Sequence, residues 1–163
     1  MEPRAYAWII PRRLVVGERP GGGGRSHRRG LREVHQAWWR AQGVEAIVSG
    51  MRSRHGLLEY ALDGFEVRWH PLTDPGRAGE EVPPLLDAAL ELAEQEDGAV
   101  LVHVDRPNEW LAGVDAALRV RLGLAPNAND ALAHAAQDGL PTGPPAPQLA
   151  AAGEQRRAPA RIA

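Results

Sequence analysis

The sequence predicts an α/β domain in which helices cover both faces of a mostly parallel central sheet. Two observations lead to this prediction. Short β-prone runs alternate along the chain with segments whose apolar residues recur every three or four positions, the pattern of repeated strand–helix units. In addition, the run Ala99-Val100-Leu101-Val102 is apolar at every position, which is typical of a strand buried on both faces of a parallel sheet.

Strands and helices alternate in the first half of the chain. The apolar segments 6–10 and 14–16 flank the turn Pro11-Arg12-Arg13, which predicts a hairpin or two paired edge strands. A glycine-rich segment at 20–24 follows and is expected to be a flexible joint. The other elements of this half are predicted from their periodicity: a helix from about 26 to 43, a strand at 44–48 and a short helix at 55–62.

The first of these helices is bounded by two recognisable signals. The hydroxyl of Ser26 is suited to capping its start, and Gly43 marks its end. Because adjacent helical residues lie about 100° apart, the spacing assigns Trp38 to the buried face and leaves Trp39 partly exposed. The buried face is predicted to contain Leu31, Val34, Ala37, Trp38 and Ala41.

The second half of the chain begins with the alternating segment 65–69, which predicts a strand. The loop 70–76 follows, and its prolines and glycine exclude regular structure. Around the strand at 99–102 the sequence predicts three helices: one through 85–93 that ends near Gly98, one with Leu111, Val114, Leu118 and Leu122 inward, and one from about Asn127 to Gln137.

The domain is predicted to span residues 1–140. Residues 141–163 are rich in proline, alanine and glycine, with few large apolar side chains. Such a composition buries too little apolar surface to offset the entropy of ordering. We therefore expect a disordered tail.

Composition excludes several kinds of chemistry. The 163 residues contain no cysteine and no lysine, so thiol nucleophiles, thiolate metal sites, Schiff bases and phosphate-binding lysines are excluded. No cofactor is predicted. A net charge of −2 gives no overall attraction to nucleic acid or to a membrane, and neither is an expected partner. Without a secretory signal or a long apolar run, the expected location is the cytoplasm, and the alanine- and arginine-rich composition is typical of a bacterial protein.

The loop after the central strand is the expected position of a functional site, because ligands of open α/β sheets bind at the carboxyl ends of strands. Here the sequence resembles the dual-specificity phosphatases of the cysteine-based protein tyrosine phosphatase superfamily. The resemblance rests on the order of elements, the strand ending in Leu101-Val102-His103, the segment Pro71-Leu72-Thr73-Asp74-Pro75 and the Ala-Leu-Ala pattern of the last helix. It covers nearly the whole domain and implies a phosphatase-like fold.

The resemblance also implies that the catalytic loop is degenerate. In that family the loop consists of His-Cys, five residues and Arg. Val104 falls at the position of the nucleophilic cysteine and Trp110 at that of the phosphate-binding arginine. Asp74 falls at the general-acid position, but without a nucleophile to pair with it, it is expected to cap a turn between Pro71 and Pro75. The degenerate loop comprises His103, Val104, Asp105, Arg106, Pro107, Asn108, Glu109 and Trp110.

Physical chemistry gives the same interpretation of this loop. Valine has no nucleophilic atom, and the single N–H of an indole cannot replace the bidentate guanidinium group. Pro107 lacks the amide hydrogen that a phosphate cradle needs. Asp105 and Glu109 add negative charge near a helix N-terminus, where one of these carboxylates is expected to take the place of the phosphate. Trp110 is expected either to fill the anion pocket or to pack beneath the helix.

Two further groups of residues could form sites. Arg25, Ser26, Arg28 and Arg29 follow the glycine-rich segment and could bind an anion or an acidic partner, although a solvated linker is an equally simple interpretation. His70, Asp74, His103 and Asp105 could meet at the strand ends. No metal-ligand spacing supports this second set, so no metal site is predicted.

Together these observations predict a catalytically inactive phosphatase-like protein, a pseudophosphatase that acts as a binding or regulatory module. The expected partner is a protein or an acidic ligand. The alternative is a weak or repurposed phosphoester hydrolase that uses Asp74 and His103. A third possibility is a diverged protein without a selected binding role.

Overall fold

Residues 1–155, which the computed structural model describes, fold around one mixed sheet of five strands. The strand order is β1-β2-β5-β3-β4. β1 runs antiparallel to β2, and all the other neighbouring pairs are parallel. The strands are β1 (Tyr6–Ile10), β2 (Leu14–Glu18), β3 (Val44–Ser49), β4 (Glu66–Trp69) and β5 (Ala99–Val104). The predicted α/β class and the predicted pairing of the first two strands are confirmed.

Helices flank the sheet on both faces. They are α1 (Arg29–Ala41), α2 (Leu57–Leu62), α3 (Ala78–Gln95), α4 (Glu109–Arg121), α5 (Ala128–Gln137) and α6 (Ala146–Ala152). The central strand β5 is buried along its whole length, and its alternate residues belong to different cores. Val100 and Val102 pack with the side chains of α3 and α4, whereas Leu101 packs with Trp39 of α1 and Tyr60 of α2. This burial on both faces explains the continuous apolar run in the sequence.

Helix α1 buries a different face from the predicted one. The buried side chains are Arg32, His35, Gln36 and Trp39, whereas Val34 is exposed and Trp38 is only partly buried. Both faces have the spacing of three and four residues. Tertiary partners select the polar face: the Nδ1 atom of His35 accepts a hydrogen bond from the Gly21 amide at 2.9 Å, and the Trp39 ring packs 5.3 Å from the Tyr6 ring. The helix also begins at Arg29 rather than at Ser26.

The chain after Leu140 also differs from the expectation. Residues 146–152 form α6, in which Leu149 and Ala150 are buried. A Cβ atom added to Gly113 of α4 would lie 2.6 Å from the Leu149 Cβ, so α6 approaches α4 closely at that glycine. Small residues on both helices permit this contact, and composition alone underestimates the area it buries. The remainder of the predicted tail, residues 156–163, lies outside the described residues.

Within residues 1–155, no helix combines the length and the apolar character that a membrane span requires.

The packing of α6 predicts that Leu149→Ala destabilises the domain by about 2–5 kcal/mol, the usual cost of truncating a fully buried leucine. Urea denaturation followed by circular dichroism measures the change. Gln148→Ala, at an exposed position on the same helix, is the matched control and should change stability by less than about 0.5 kcal/mol. Equal stability of the Leu149 variant and the native chain would contradict the packing of α6 on the domain.

Candidate functional site

The loops that follow the parallel strands meet at one edge of the sheet, because β2, β5, β3 and β4 point in the same direction. Glu18, Val104, Ser49 and Trp69 are the last residues of these strands. The segments beyond them are 19–28, 105–108, 50–56 and 70–77. The site predicted from the sequence therefore lies at this edge, as expected for an open α/β sheet.

The loop between β5 and α4 uses its own polar groups to start the helix. The Asn108 side chain caps α4 by accepting a hydrogen bond from the Trp110 amide at 3.1 Å. The Asn108 amide donates to the carbonyl of Arg106 at 2.9 Å, and Pro107 has no amide hydrogen. Three positions of this loop that could present donors to an anion, 107, 108 and 110, are thus either internally bonded or without a donor.

The Asp105 carboxylate bonds to the glycine-rich segment. Its Oδ1 atom accepts hydrogen bonds from the Gly24 amide at 3.1 Å and from the Arg19 Nη1 at 3.3 Å, and its Oδ2 lies 3.3 Å from the Arg106 Nε. Burial raises the pKa of Asp105, but the Gly24 amide and the guanidinium groups of Arg19 and Arg106 outweigh it, so the pKa lies below its usual value. The helix start that this carboxylate was expected to occupy is capped by Asn108 instead.

The glycine-rich segment is packed rather than flexible. Pro20, Gly21 and Gly22 are buried. A Cβ atom on Gly23 would clash with the backbone carbonyl of Asp105, so only glycine permits this approach of the two segments. The expectation of a flexible joint is therefore wrong for residues 20–24.

The buried Arg19 also connects this segment to two histidine side chains, His55 and His27. It is 7% exposed, and its Nη2 contacts the His55 Nδ1. The rings of His55 and His27 lie perpendicular, with centroids 5.0 Å apart. Burial and the positive charge of Arg19 lower the pKa of His27. A second positive charge in this group is thereby disfavoured.

His103 is fully buried beneath the loop. Its ring lies 5.7 Å from that of Tyr60, and its Nδ1 is 3.3 Å from the Val104 carbonyl oxygen. Burial lowers the pKa of His103 to about 4, while burial of Tyr60 raises the pKa of that phenol. His103 is therefore neutral near pH 7 and cannot touch a solvent-borne substrate in this arrangement.

Val104 and Trp110 line one small cleft. Its volume is about 290 Å³. Val104 is 4% exposed and the Trp110 ring is partly buried against the core of α3 and α4. The other residues that line it are Gly50, Met51, Arg52, Leu72, Asp105, Arg106 and Asn108. Trp110 thus both borders the cleft and packs against the core.

Asp74 is exposed and caps a turn. Its Oδ1 accepts a hydrogen bond from the Gly76 amide at 2.8 Å, which starts the short 3-10 turn Pro75–Arg77. It is not among the residues that line the cleft, although the carbonyl of the preceding Thr73 accepts a hydrogen bond from Arg52. The turn-capping interpretation of Asp74 describes this geometry.

The predicted basic residues are not gathered into one cluster. Arg25 lines a larger cavity of about 1280 Å³ beside the N-terminal residues, while Arg29 lines a different groove and pairs with Glu33 at 3.5 Å. Arg28 is exposed at the start of α1, and Ser26 lies in the 3-10 turn Gly24–Ser26. Nor does any group of three or more His, Asp or Glu side chains within the described part of the chain come together in a way that could hold a metal ion.

Sequence reasoning did not identify Arg19, Gly50 or Leu72 as site residues. Arg19 directly follows β2 and Gly50 directly follows β3. Their positions at strand ends were therefore a usable signal, once the strand order placed β2 and β3 on either side of β5.

Comparison with known proteins supports the fold at low sequence identity. No protein-family model and no curated protein sequence matches the chain. The crystal structure of human DUSP28 is similar over 93% of this chain and 96% of its own, with a TM-score of 0.66 and 21% identity. The active form of Tk-PTP is similar over 94% and 98%, with a TM-score of 0.67 and 18% identity. PTPMT1 in complex with PI(5)P is similar over 91% and 92%, with a TM-score of 0.58 and 17% identity. The chain therefore has the fold of the dual-specificity and protein tyrosine phosphatases, as the resemblance in sequence implied.

The bonds of Asp105 predict that Asp105→Asn loosens the glycine-rich segment. The variant removes the charge that neutralises the buried Arg19, and we expect a loss of about 1–3 kcal/mol in the free energy of unfolding. Amide hydrogen exchange should accelerate at Gly24 and its neighbours more than in β3. Glu94→Gln, at an exposed position of α3, should change neither quantity. Unchanged exchange at Gly24 would contradict this role of Asp105.

The buried His103 predicts a loss of stability in acid. Its pKa in the folded state is about 4, below the ordinary histidine value of about 6.5, so the unfolded chain binds more protons between about pH 6.5 and 4. This contribution to stability is complete above pH 6.5 and falls by about 3 kcal/mol as the pH drops to 4. His27 and His35, whose pKa values are also lowered, add to the same trend.

Urea denaturation at a series of pH values tests this prediction. In His103→Asn, the dependence of the free energy of unfolding on pH between 6.5 and 4 should be shallower than in the native chain. The difference in slope isolates His103, because the other histidines and the carboxylates are present in both proteins. Parallel profiles would show that His103 does not titrate differently on folding.

Proposed function

We propose that this protein is a catalytically inactive dual-specificity-phosphatase-like protein that acts by binding, as a pseudophosphatase. The observation that carries the proposal is the structure of the loop between β5 and α4, in which the amides of Asn108 and Trp110 are bonded internally and Pro107 has no amide hydrogen. The partner we propose is a protein or an acidic ligand.

The absence of a nucleophile supports inactivity. Phosphoryl transfer through a covalent intermediate needs an attacking atom at the end of the central strand, and Val104 presents two methyl groups there. No cysteine exists elsewhere in the chain to replace it.

The electrostatics of the loop support the same proposal. A phosphate dianion requires several converging donors to offset the loss of its hydration. In this loop the Trp110 amide bonds to Asn108, and Trp110 has no guanidinium group. Two of the arginines at this edge are paired with the Asp105 carboxylate: the buried Arg19 bonds to it, and Arg106 lies within 3.3 Å of it. Arg52 also lines the cleft.

The alternative, a hydrolase that uses Asp74 and His103, has less support. A general acid and a general base must both reach the substrate within hydrogen-bond distance. His103 is fully buried and neutral, and Asp74 is exposed outside the cleft, where it caps a turn. Nothing in this geometry favours cooperation between the two side chains.

Hydrolysis of 4-nitrophenyl phosphate tests the proposal. The native chain should give no more product than a blank, and Asp74→Asn should leave that background unchanged. The triple variant Val104→Cys, Pro107→Gly, Trp110→Arg restores nucleophile, backbone donor and guanidinium, and we expect it to gain measurable turnover. Val104→Ser with the same two changes is the matched control, because a serine hydroxyl is a far weaker nucleophile than a thiolate, and it should stay at background. Turnover by the native chain that Asp74→Asn abolishes would overturn the proposal.

A further inference from the structure

We propose that the cleft beside Val104 and Trp110 binds an apolar side chain carried on an acidic segment of a partner protein. This inference rests on the proposed binding function and names the chemistry of the partner. The cleft has an apolar floor and a rim of arginine side chains, and nearby backbone amides are already hydrogen-bonded within the protein.

The floor of the cleft is apolar and its backbone is satisfied. Met51, Leu72 and Val104 are each at most 8% exposed. The Gly50 amide donates to the His103 carbonyl at 2.9 Å, and the Gly50 carbonyl accepts from the Leu72 amide at 3.0 Å. A polar group placed against this floor would therefore lose water without gaining these groups as partners.

Gly50 keeps the cleft open. A Cβ atom built on it would lie 3.5 Å from both the Leu72 Cδ1 and the Val104 Cγ1, so a larger side chain would occupy the floor. The resulting volume of about 290 Å³ lies at the lower end of the range for small-molecule pockets. It suits one large apolar side chain better than a whole cofactor.

The rim carries positive charge. Arg52 and Arg106 line the cleft and are exposed, and Arg54 lies 4.8 Å from the ring centroid of Trp69, which in turn bonds to the Met51 carbonyl. The one carboxylate that lines the cleft, Asp105, is bonded to the buried Arg19 as well as to Arg106.

The carboxylates of Asp74 and Glu81 do not line the cleft: Asp74 bonds to the Gly76 amide, and Glu81 bonds to the amide and hydroxyl of Thr73. Among the residues that line the cleft, two arginine side chains, Arg52 and Arg106, accompany the single carboxylate of Asp105, which is also paired with the buried Arg19. An acidic segment on either side of the apolar anchor complements this charge.

The same geometry disfavours a phosphorylated anchor. A phosphate on the floor of the cleft would meet the side chains of Leu72 and Val104 and the internally bonded amide of Trp110. The cost of its desolvation would not be offset. Unphosphorylated tyrosine should therefore bind more tightly than phosphotyrosine in the same peptide.

Fluorescence anisotropy with labelled heptapeptides tests the proposal on the full chain. The probes have three Asp or Glu residues on each side of a central residue, which is Phe, Ala, Tyr or phosphotyrosine, and one further probe has Phe flanked by Lys. We expect binding of the acidic Phe peptide to fall about tenfold or more with central Ala, and to fall with the Lys flanks and with added salt. Phosphotyrosine should bind more weakly than tyrosine.

Variants separate the two components of the cleft. Gly50→Val fills the floor of the cleft and leaves the arginine side chains of the rim unchanged. Arg106→Glu reverses one charge of the rim and leaves the floor unchanged. Each variant should weaken binding of the Phe peptide about tenfold. Arg12→Glu changes an equally exposed arginine at the opposite end of β2 and should leave binding unchanged. If Gly50→Val fails to fold, the comparison of Phe with Ala peptides and the surface variant Arg106→Glu still decide the question.

Three results would overturn this inference: equal binding of the Phe and Ala peptides, tighter binding of phosphotyrosine than of tyrosine, or no detectable binding of any acidic probe. Each of them leaves the proposed inactivity standing if the native chain does not hydrolyse 4-nitrophenyl phosphate. Hydrolysis that depends on Asp74 would overturn the proposed function instead, whatever the peptides do.

Discussion

The organisation of the site depends on the bonds that the Asp105 carboxylate makes. It joins the loop after β5 to the glycine-rich segment after β2, through the Gly24 amide and the Arg19 guanidinium group. Arg19 is almost completely buried, and a buried guanidinium without a counter-ion would be costly. Asp105 therefore stabilises the charge of Arg19 and at the same time fixes the backbone that leads into α4.

The pairing of Asp105 with Arg19 determines which groups the loop presents to the cleft. Because Arg19 has an internal carboxylate as its partner, it does not face a ligand. The exposed Arg52 and Arg106 keep their positive charge beside a floor of Leu72 and Val104. The loop thus presents apolar surface with basic surroundings, and its Asn108 and Trp110 amides are bonded internally. A change at Asp105 would alter both sides of the loop together, since the same residue lines the cleft and anchors the segment behind it.

The order of strands and helices was predictable from the sequence, because each buried strand is short, apolar and followed by a helical period. The buried face of α1 was not, because Trp38 and Trp39 each belong to a stripe with correct helical spacing. The choice between them depends on Gly21 and Tyr6, which are distant in sequence. Helix α6 was missed for a related reason. An alanine-rich segment carries little apolar surface of its own, and its burial depends on the missing side chain of Gly113.

Some of the residues that line the cleft could be named from the sequence, and others could not. Val104 and Trp110 could be named because the resemblance aligns them with a known loop. Gly50 could be named only once the order of strands placed β3 beside β5, and Leu72 lies in the loop after β4 and had no such signal. Under the proposed binding function, the residue at the first turn of α4 is the one we propose to select the class of ligand. A guanidinium there favours a dianion, whereas the indole of Trp110 contributes apolar surface. An arginine alone at this position would meet a loop with its donors engaged and Val104 below it. Phosphate binding would therefore require the loop backbone to change as well, and this is why the exchange of side chains at positions 104, 107 and 110 must be considered as one unit.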